Sequence, residues 1–137
     1  MNSFNVFTVS ASALEAQKQR MNVIASNMAN VHSTRTDEGG PYRRKDVLFS
    51  AAAVQSDPDT LAGVKVVDIV ADSTPFRTVY DPGHPDADKE GYVSMPNINI
   101  IEEMVNMMMA SRAYEASVSA FNISKVMFLK TLELGRQ

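Results

Sequence analysis

Few residues of this 137-residue chain could do chemistry, and each sits in a poor setting for it. Asp86-x-Asp88-x-Glu90-Gly91 imitates the first half of an EF-hand calcium loop, in which alternating carboxylates converge on one ion and a glycine makes the sharp turn. The twelfth loop position is Asn97 instead of a bidentate Glu, and Pro82 and Pro85 deny the loop a preceding helix. It reads instead as an acidic turn in which Gly91 supplies a backbone angle that other residues resist. His32 and His84 fall in loop-like stretches, and neither stands at a triad or metal-ligand spacing from a partner. With no cysteine, thiolate zinc sites, disulfides and cysteine nucleophiles are all excluded. The run Arg43-Arg44-Lys45 is short, and the net charge is -3, whereas phosphate recognition releases counterions from a basic surface. That run is expected at a strand edge or in inter-subunit salt bridges. No catalysis, cofactor, metal, nucleic acid or small-molecule substrate is expected.

The elements that carry these residues are divided by proline and glycine. All six prolines and five of the six glycines lie between positions 39 and 96, and the sixth glycine is Gly135. A helix interior loses ~3 kcal/mol to Pro and ~1 kcal/mol to Gly, so residues 1–38 and 97–134 are free to be helical. The predicted organisation is an N-terminal helix in 1–31, a β- and loop-rich middle in 32–96 and a long C-terminal helix in 97–137. The fold class is mainly α, with a small β-containing middle.

Phe7, Leu14, Met21 and Met28 recur every seven residues, with Phe4, Ala11, Ile24, Ala25 and Val31 filling the adjoining positions. Ile100, Met107, Tyr114, Phe121 and Phe128 repeat the pattern in the second helix, flanked by Met104, Val118 and Leu132. Asn99 with Glu102 suggests a capping box, and Gly135 a C-terminal cap. Ile101, Val105, Met108, Met109, Ile123, Val126, Met127 and Leu129 point to other sides of that helix. Such a surplus needs either a core too large for the chain or cover by other chains, and the second is favoured. Met104 to Met109 reads equally as ordinary core filling or as a surface adapted to several non-identical neighbours.

In the middle, Asp46 to Val54, Val64 to Val70 and Phe76 to Tyr80 are strand-prone, the second alternating as a half-buried strand does. Long turn-rich connections run from Ser33 to Tyr42 and from Asp81 to Gly91. The middle carries seven basic and eleven acidic side chains, while the ends are nearly neutral, as expected if the ends pack against protein and the middle faces water. No stretch approaches the ~20 apolar residues that cross a bilayer. No Lys or Arg precedes Lys18, so a basic secretory n-region is missing; if the protein leaves the cytoplasm, it does so by a route that does not read one.

The helix ending in Asn27-Met28-Ala29-Asn30 resembles the start of bacterial flagellar rod and hook proteins. Tyr80 to Asn97, Glu103 to Ala116, Ala120-Phe121-Asn122 and Leu132 to Gly135 resemble the C type of proximal rod protein in particular, so the likeness spans nearly the whole chain. The resemblance implies a structural rod subunit whose terminal helices pair as a coiled coil and pack with other rod proteins and with copies of itself into a hollow, torque-transmitting shaft. It also implies export by the flagellar type III apparatus without a cleaved signal, contact with an adaptor at the membrane ring or export gate, and a place in the basal body across the periplasm. A soluble helical export chaperone is the alternative. The expected assembly surface comprises Phe7, Leu14, Met21, Ile24, Asn27, Met28 and Asn30 with Ile100, Met104, Met107, Met108, Tyr114, Val118, Phe121, Phe128 and Leu132. Choice of neighbour is expected from Arg43, Arg44, Lys45, Asp81, Asp86, Asp88 and Glu90.

Overall fold

A computed structural model describes residues 3–53 and 62–135. Helix α1 (Ser3–Ala29) is followed by strands β1 (Lys45–Ala53), β2 (Ala62–Ala71), β3 (Arg77–Tyr80) and β4 (Tyr92–Met95), and the chain closes on helix α2 (Ile100–Leu134). Val54 and the side chain of Phe4 lie outside the described residues. The helix, β-middle, helix order agrees with the division by proline and glycine.

The helices pair antiparallel. Near one end Asn27 of α1 meets Glu103 of α2 at 3.0 Å. Near the other, the Phe7 ring meets Phe121 at 5.3 Å and Phe128 at 6.0 Å, both edge-to-face. At 1.5 Å per residue α1 is ~40 Å long and α2 ~52 Å, so α2 is the longer rod. Asn99 caps α2 with its side-chain oxygen on the Ile101 N–H at 3.1 Å. Glu102 does not complete the expected box; its neighbour Glu103 is the first-turn acid that is engaged, and it is turned inward. Gly135 donates its N–H to the Thr131 carbonyl at 3.1 Å, but with φ -77° it is right-handed, so this cap does not use glycine's special freedom.

Strands β1 and β2 form one antiparallel two-stranded ribbon, with a bulge between Leu48 and Phe49, and β3 and β4 form a second. The second ribbon is a departure from expectation: Tyr92–Met95 was not foreseen as a strand, because four residues carry too little alternation to stand out. The connection Asp81 to Gly91 is the hairpin loop of that ribbon. It is closed by Asp81 N–H to the Gly91 carbonyl at 2.9 Å and by the Asp88 carboxylate, which accepts from the Glu90 and Tyr92 amides at 2.9 Å each. Gly91 is required here, since φ is +86° and a Cβ would lie 2.9 Å from the Tyr80 ring.

The expected half-burial of β2 is weak. Val66 and Val70 are partly covered, while Val67 and Ile69 on the other face are exposed. The first ribbon lies against α1 and is pinned there by the Val64 N–H, which donates to Ser12 Oγ at 3.0 Å. The buried apolar residues are few: Ala16, Ile24, Tyr42, Val47, Val93, Ile98 and Ala110.

Candidate assembly interface

The seven-residue stripe of α2 faces α1 over its middle, where Met107, Tyr114, Val118, Phe121 and Phe128 are half-buried. On α1, Phe7, Leu14, Met21 and Met28 are half-buried and Ile24 is buried within the chain. The ends of the α2 stripe are uncovered, with Ile100, Met104 and Leu132 exposed. The other faces of α2 are apolar and open: Ile101 is 72% exposed, Met127 66% and Met108 57%, and Val105, Met109, Ile123, Val126 and Leu129 are exposed with them. Near the aromatic contact these side chains leave an open groove of 390 Å³ lined by Val6, Phe7, Ser124, Met127, Phe128, Thr131 and Leu132. Among the described residues no helix is long and apolar enough to cross a membrane.

At the opposite end of the pair the chemistry is polar. Asn27 has no exposed surface, and its amide is saturated. Its Nδ2 donates to the Lys45 carbonyl at 2.8 Å and to Glu103 Oε2 at 3.0 Å, while its Oδ1 accepts from the Lys45 N–H at 2.9 Å and the Tyr42 hydroxyl at 3.2 Å. Ser26 Oγ stands 3.2 Å from the same hydroxyl. Glu103, 1% exposed, receives Arg44 Nε on Oε1 at 2.8 Å, and Arg44 reaches Asp46 at 3.3 Å. Burial works against the Arg44 cation, yet the hydrogen bond and attraction of Glu103, helped by Asp46, outweigh it and push the guanidinium above its usual value. One amide thus ties the end of α1, the start of β1 and the first turn of α2.

This placement changes the reading of several expected positions. Asn27 faces inward and holds the chain together; it is not on the surface. Asn30, half-buried, donates from Nδ2 to the Ser26 carbonyl at 2.9 Å and accepts from Ser33 Oγ at 3.0 Å, so it finishes α1 and shapes the turn after it. Arg44 is committed to Glu103 within the chain. Asp86 is likewise occupied, by Arg35 at 2.6 Å and Thr34 Oγ1 at 2.9 Å, which staples the loop after α1 to the β3–β4 loop. Arg43 stacks over the Phe76 ring at 4.3 Å and donates to the Asp72 carbonyl at 3.3 Å. Lys45 lies 5.8 Å from the Tyr42 ring centre. Arg43, Lys45, Asp81, Asp88 and Glu90 remain exposed.

Tyr42, Glu103, Thr34 and Arg35 are not among the expected site residues. Glu103 had a visible signal, an acid beside an asparagine cap, but the sign of its partner lay 59 positions away at Arg44. Among the described residues no group of three or more acids or histidines is placed to hold a metal ion.

A long two-helix unit that leaves much of its apolar surface open has the form of a subunit that packs with others. Residues 7–35 match the family described as "Flagella basal body rod protein", and residues 89–134 match the "Flagellar basal body rod FlgEFG protein C-terminal" family. The chain is 48% identical over 136 residues to the flagellar basal-body rod protein FlgC of Escherichia coli O6:H1, covering 99% of this chain and 100% of that protein. It is 49% identical to the FlgC of Yersinia enterocolitica, covering 99% of this chain and 100% of that one. It is 41% identical to that of Bacillus subtilis, over 99% and 100%. The chain belongs to the FlgC family of flagellar basal-body rod proteins. It is a structural subunit that assembles with other rod proteins in the flagellar basal body, and it is not an enzyme.

Proposed function

We propose that the α1–α2 pair is the repeating element of the wall of the proximal rod, a hollow shaft that spans the periplasm and carries torque from motor to hook. In this reading residues 1–31 and 97–137 act as one helical core, whose open α2 face packs against the helices of neighbouring rod subunits and copies of the chain. The middle, 32–96, selects the neighbours through exposed charges, chiefly Arg43, Lys45, Asp81, Asp88 and Glu90. Adaptor contacts at the membrane ring or export gate, and passage through the type III apparatus without a cleaved signal, belong to the same reading.

Its main support is the surface of the chain. The accessible area is 9646 Å². A compact monomer of 15.0 kDa would expose about 7,000 Å², roughly a quarter less. Most of the exposed large apolar side chains among the described residues are on α2, and an apolar helical face costs free energy in water until it is covered. A heterologous contact that does not close generates an open helical stack, the geometry a shaft requires.

Because the chain has no cysteine, a single thiol can report cover directly. Met127→Cys and Val126→Cys are expected to react with maleimide in the purified chain and to be shielded in isolated basal bodies. Equal labelling in both states would remove this face from the assembly.

A further inference from the structure

The first ribbon is held to the helices by polar pins, with little apolar burial beneath it. Val47 is its buried apolar side chain, whereas Leu48, Phe49, Val64, Val67 and Ile69 are exposed. One pin is Ser12, whose hydroxyl accepts the Val64 N–H and against which Gly63 fits so closely that a Cβ would come within 2.8 Å of Ser12 Oγ. The other is Asn27, some 22 Å along α1, which binds both the N–H and the carbonyl of Lys45. Through Glu103, this second pin is also a hydrogen-bonded contact between α1 and α2.

We propose that Asn27, Arg44 and Glu103 are positioning residues for assembly: their joint couples docking of the β1–β2 ribbon to the pairing register of α1 and α2, so that the middle meets its neighbours at one fixed angle.

The coupling follows from what each side chain can satisfy. Asn27 uses two donors and one twice-used acceptor, and shifting α1 by one residue would offer Ser26 or Met28 in its place. Methionine has no donor, and one hydroxyl cannot replace an amide that serves both groups of Lys45. The displaced register would leave the Glu103 carboxylate buried with half its partners, a state the low-dielectric interior strongly opposes. Apolar contacts offer no such discrimination, since methionines repack against shifted neighbours with little penalty. Arg44, at the start of the ribbon, adds the charge that makes burial of Glu103 tolerable. A ribbon out of place therefore weakens the helix register at the joint end of the pair, and a first turn of α2 slipped there releases the ribbon. The clause on neighbours rests on the function proposed above; the coupling itself does not.

The test is hydrogen exchange on the purified full chain carrying Asn27→Ala, Glu103→Gln or Arg44→Lys, with Asn22→Ala on the exposed side of α1 as control. Each joint variant is expected to speed exchange by about tenfold in both 45–49 and 66–72 and in the first turn of α2, with less than about twofold change in 107–121. The control should move none of these. Acceleration confined to the mutated turn, or none in the ribbon, overturns the coupling. Should Asn27→Ala unfold the chain outright, Glu103→Gln and Arg44→Lys, which alter less, are read by the same pattern, and uniform acceleration in both also overturns it. Rod incorporation in cells tests the neighbour clause separately: a loosened ribbon with normal rods overturns that clause and leaves the coupling standing.

Discussion

The two ends of the α1–α2 pair are held by opposite kinds of chemistry. At the Asn27 end every polar atom of one amide is used, a carboxylate is buried against a guanidinium, and three elements meet within hydrogen-bond distance. At the Phe7 end three rings touch edge-to-face beside an open apolar groove. Directional bonds are satisfied in one arrangement only, so the first end belongs to the chain itself and defines its register. Apolar contact is tolerant of the partner's shape, so the second end suits surfaces supplied by neighbours. The contrast teaches that directional polar bonds fix the register of the pair at one end while apolar contacts at the other leave an open groove, and it bears on how substitutions should be chosen.

The largest expected effect breaks the polar end. Arg44→Met leaves the Glu103 carboxylate buried with only Asn27 as partner, which should cost about 2–4 kcal/mol, somewhat less than the ~3–5 kcal/mol for a fully buried pair because Arg44 is partly exposed. Adding Glu103→Leu should recover part of that loss, since an apolar pair of similar volume carries no unpaired charge, while the Asn27 Nδ2 N–H that Glu103 accepted is left without its acceptor. Urea unfolding of the single and double variants measures both quantities. A double variant no more stable than Arg44→Met would mean that the charge pair is not what the site depends on.

The aromatic end should separate folding from assembly. Phe7→Ala removes two edge-to-face contacts from a half-buried position and is expected to destabilise the free chain by about 1–3 kcal/mol. Met127→Lys, at the open side of the same groove, should change stability by less than about 0.5 kcal/mol and still prevent rod formation, because a charge would be carried into a dry contact. Tyr114 and Phe121, which lie on the helix seam, are poorer sites for this purpose: a carboxylate there would damage the pair before any neighbour arrived. Thermal unfolding read beside motility distinguishes the two positions. Equal loss of stability at Phe7 and Met127 would erase the distinction between seam and outer face.

How much of this was legible beforehand follows the same line. The helices could be read because Pro and Gly are confined to the middle and the apolar repeat runs for five heptads in α2. The surplus apolar residues of α2 were also legible, as residues that one partner helix has no room for, and they are exposed. What could not be read was tertiary pairing of polar groups. Asn27 is a helix-end asparagine like many others until Lys45 and Glu103 are brought to it, and Glu103 looks like an acid favoured by the positive end of a helix. Strand β4 escaped because its register is set by the loop that Asp88 and Gly91 close, a feature of backbone hydrogen bonds and one positive φ.

The smallest expected effect lies just outside the joint, at Asp72, where the amide follows the ribbon and donates to the Arg44 carbonyl at 2.7 Å. The Asp72 side chain is only partly covered, and the Thr74 hydroxyl and the Thr74 N–H both donate to its carboxylate; with lesser help from Arg44 and Arg43 they hold it below the usual carboxylate range. A carboxyl whose pKa is lower folded than unfolded favours folding at pH above its unfolded value, and that contribution disappears as pH falls through the folded value. Asp72→Asn keeps an acceptor for Thr74 and removes the charge. At neutral pH the variant should therefore unfold at slightly lower urea than the parent, and the gap should close in acid, below the carboxylate range. Because the group faces water, added salt should shrink the gap as well. A gap that persists unchanged in acid would show that the Asp72 charge contributes nothing and that Thr74 responds only to the shape of the turn.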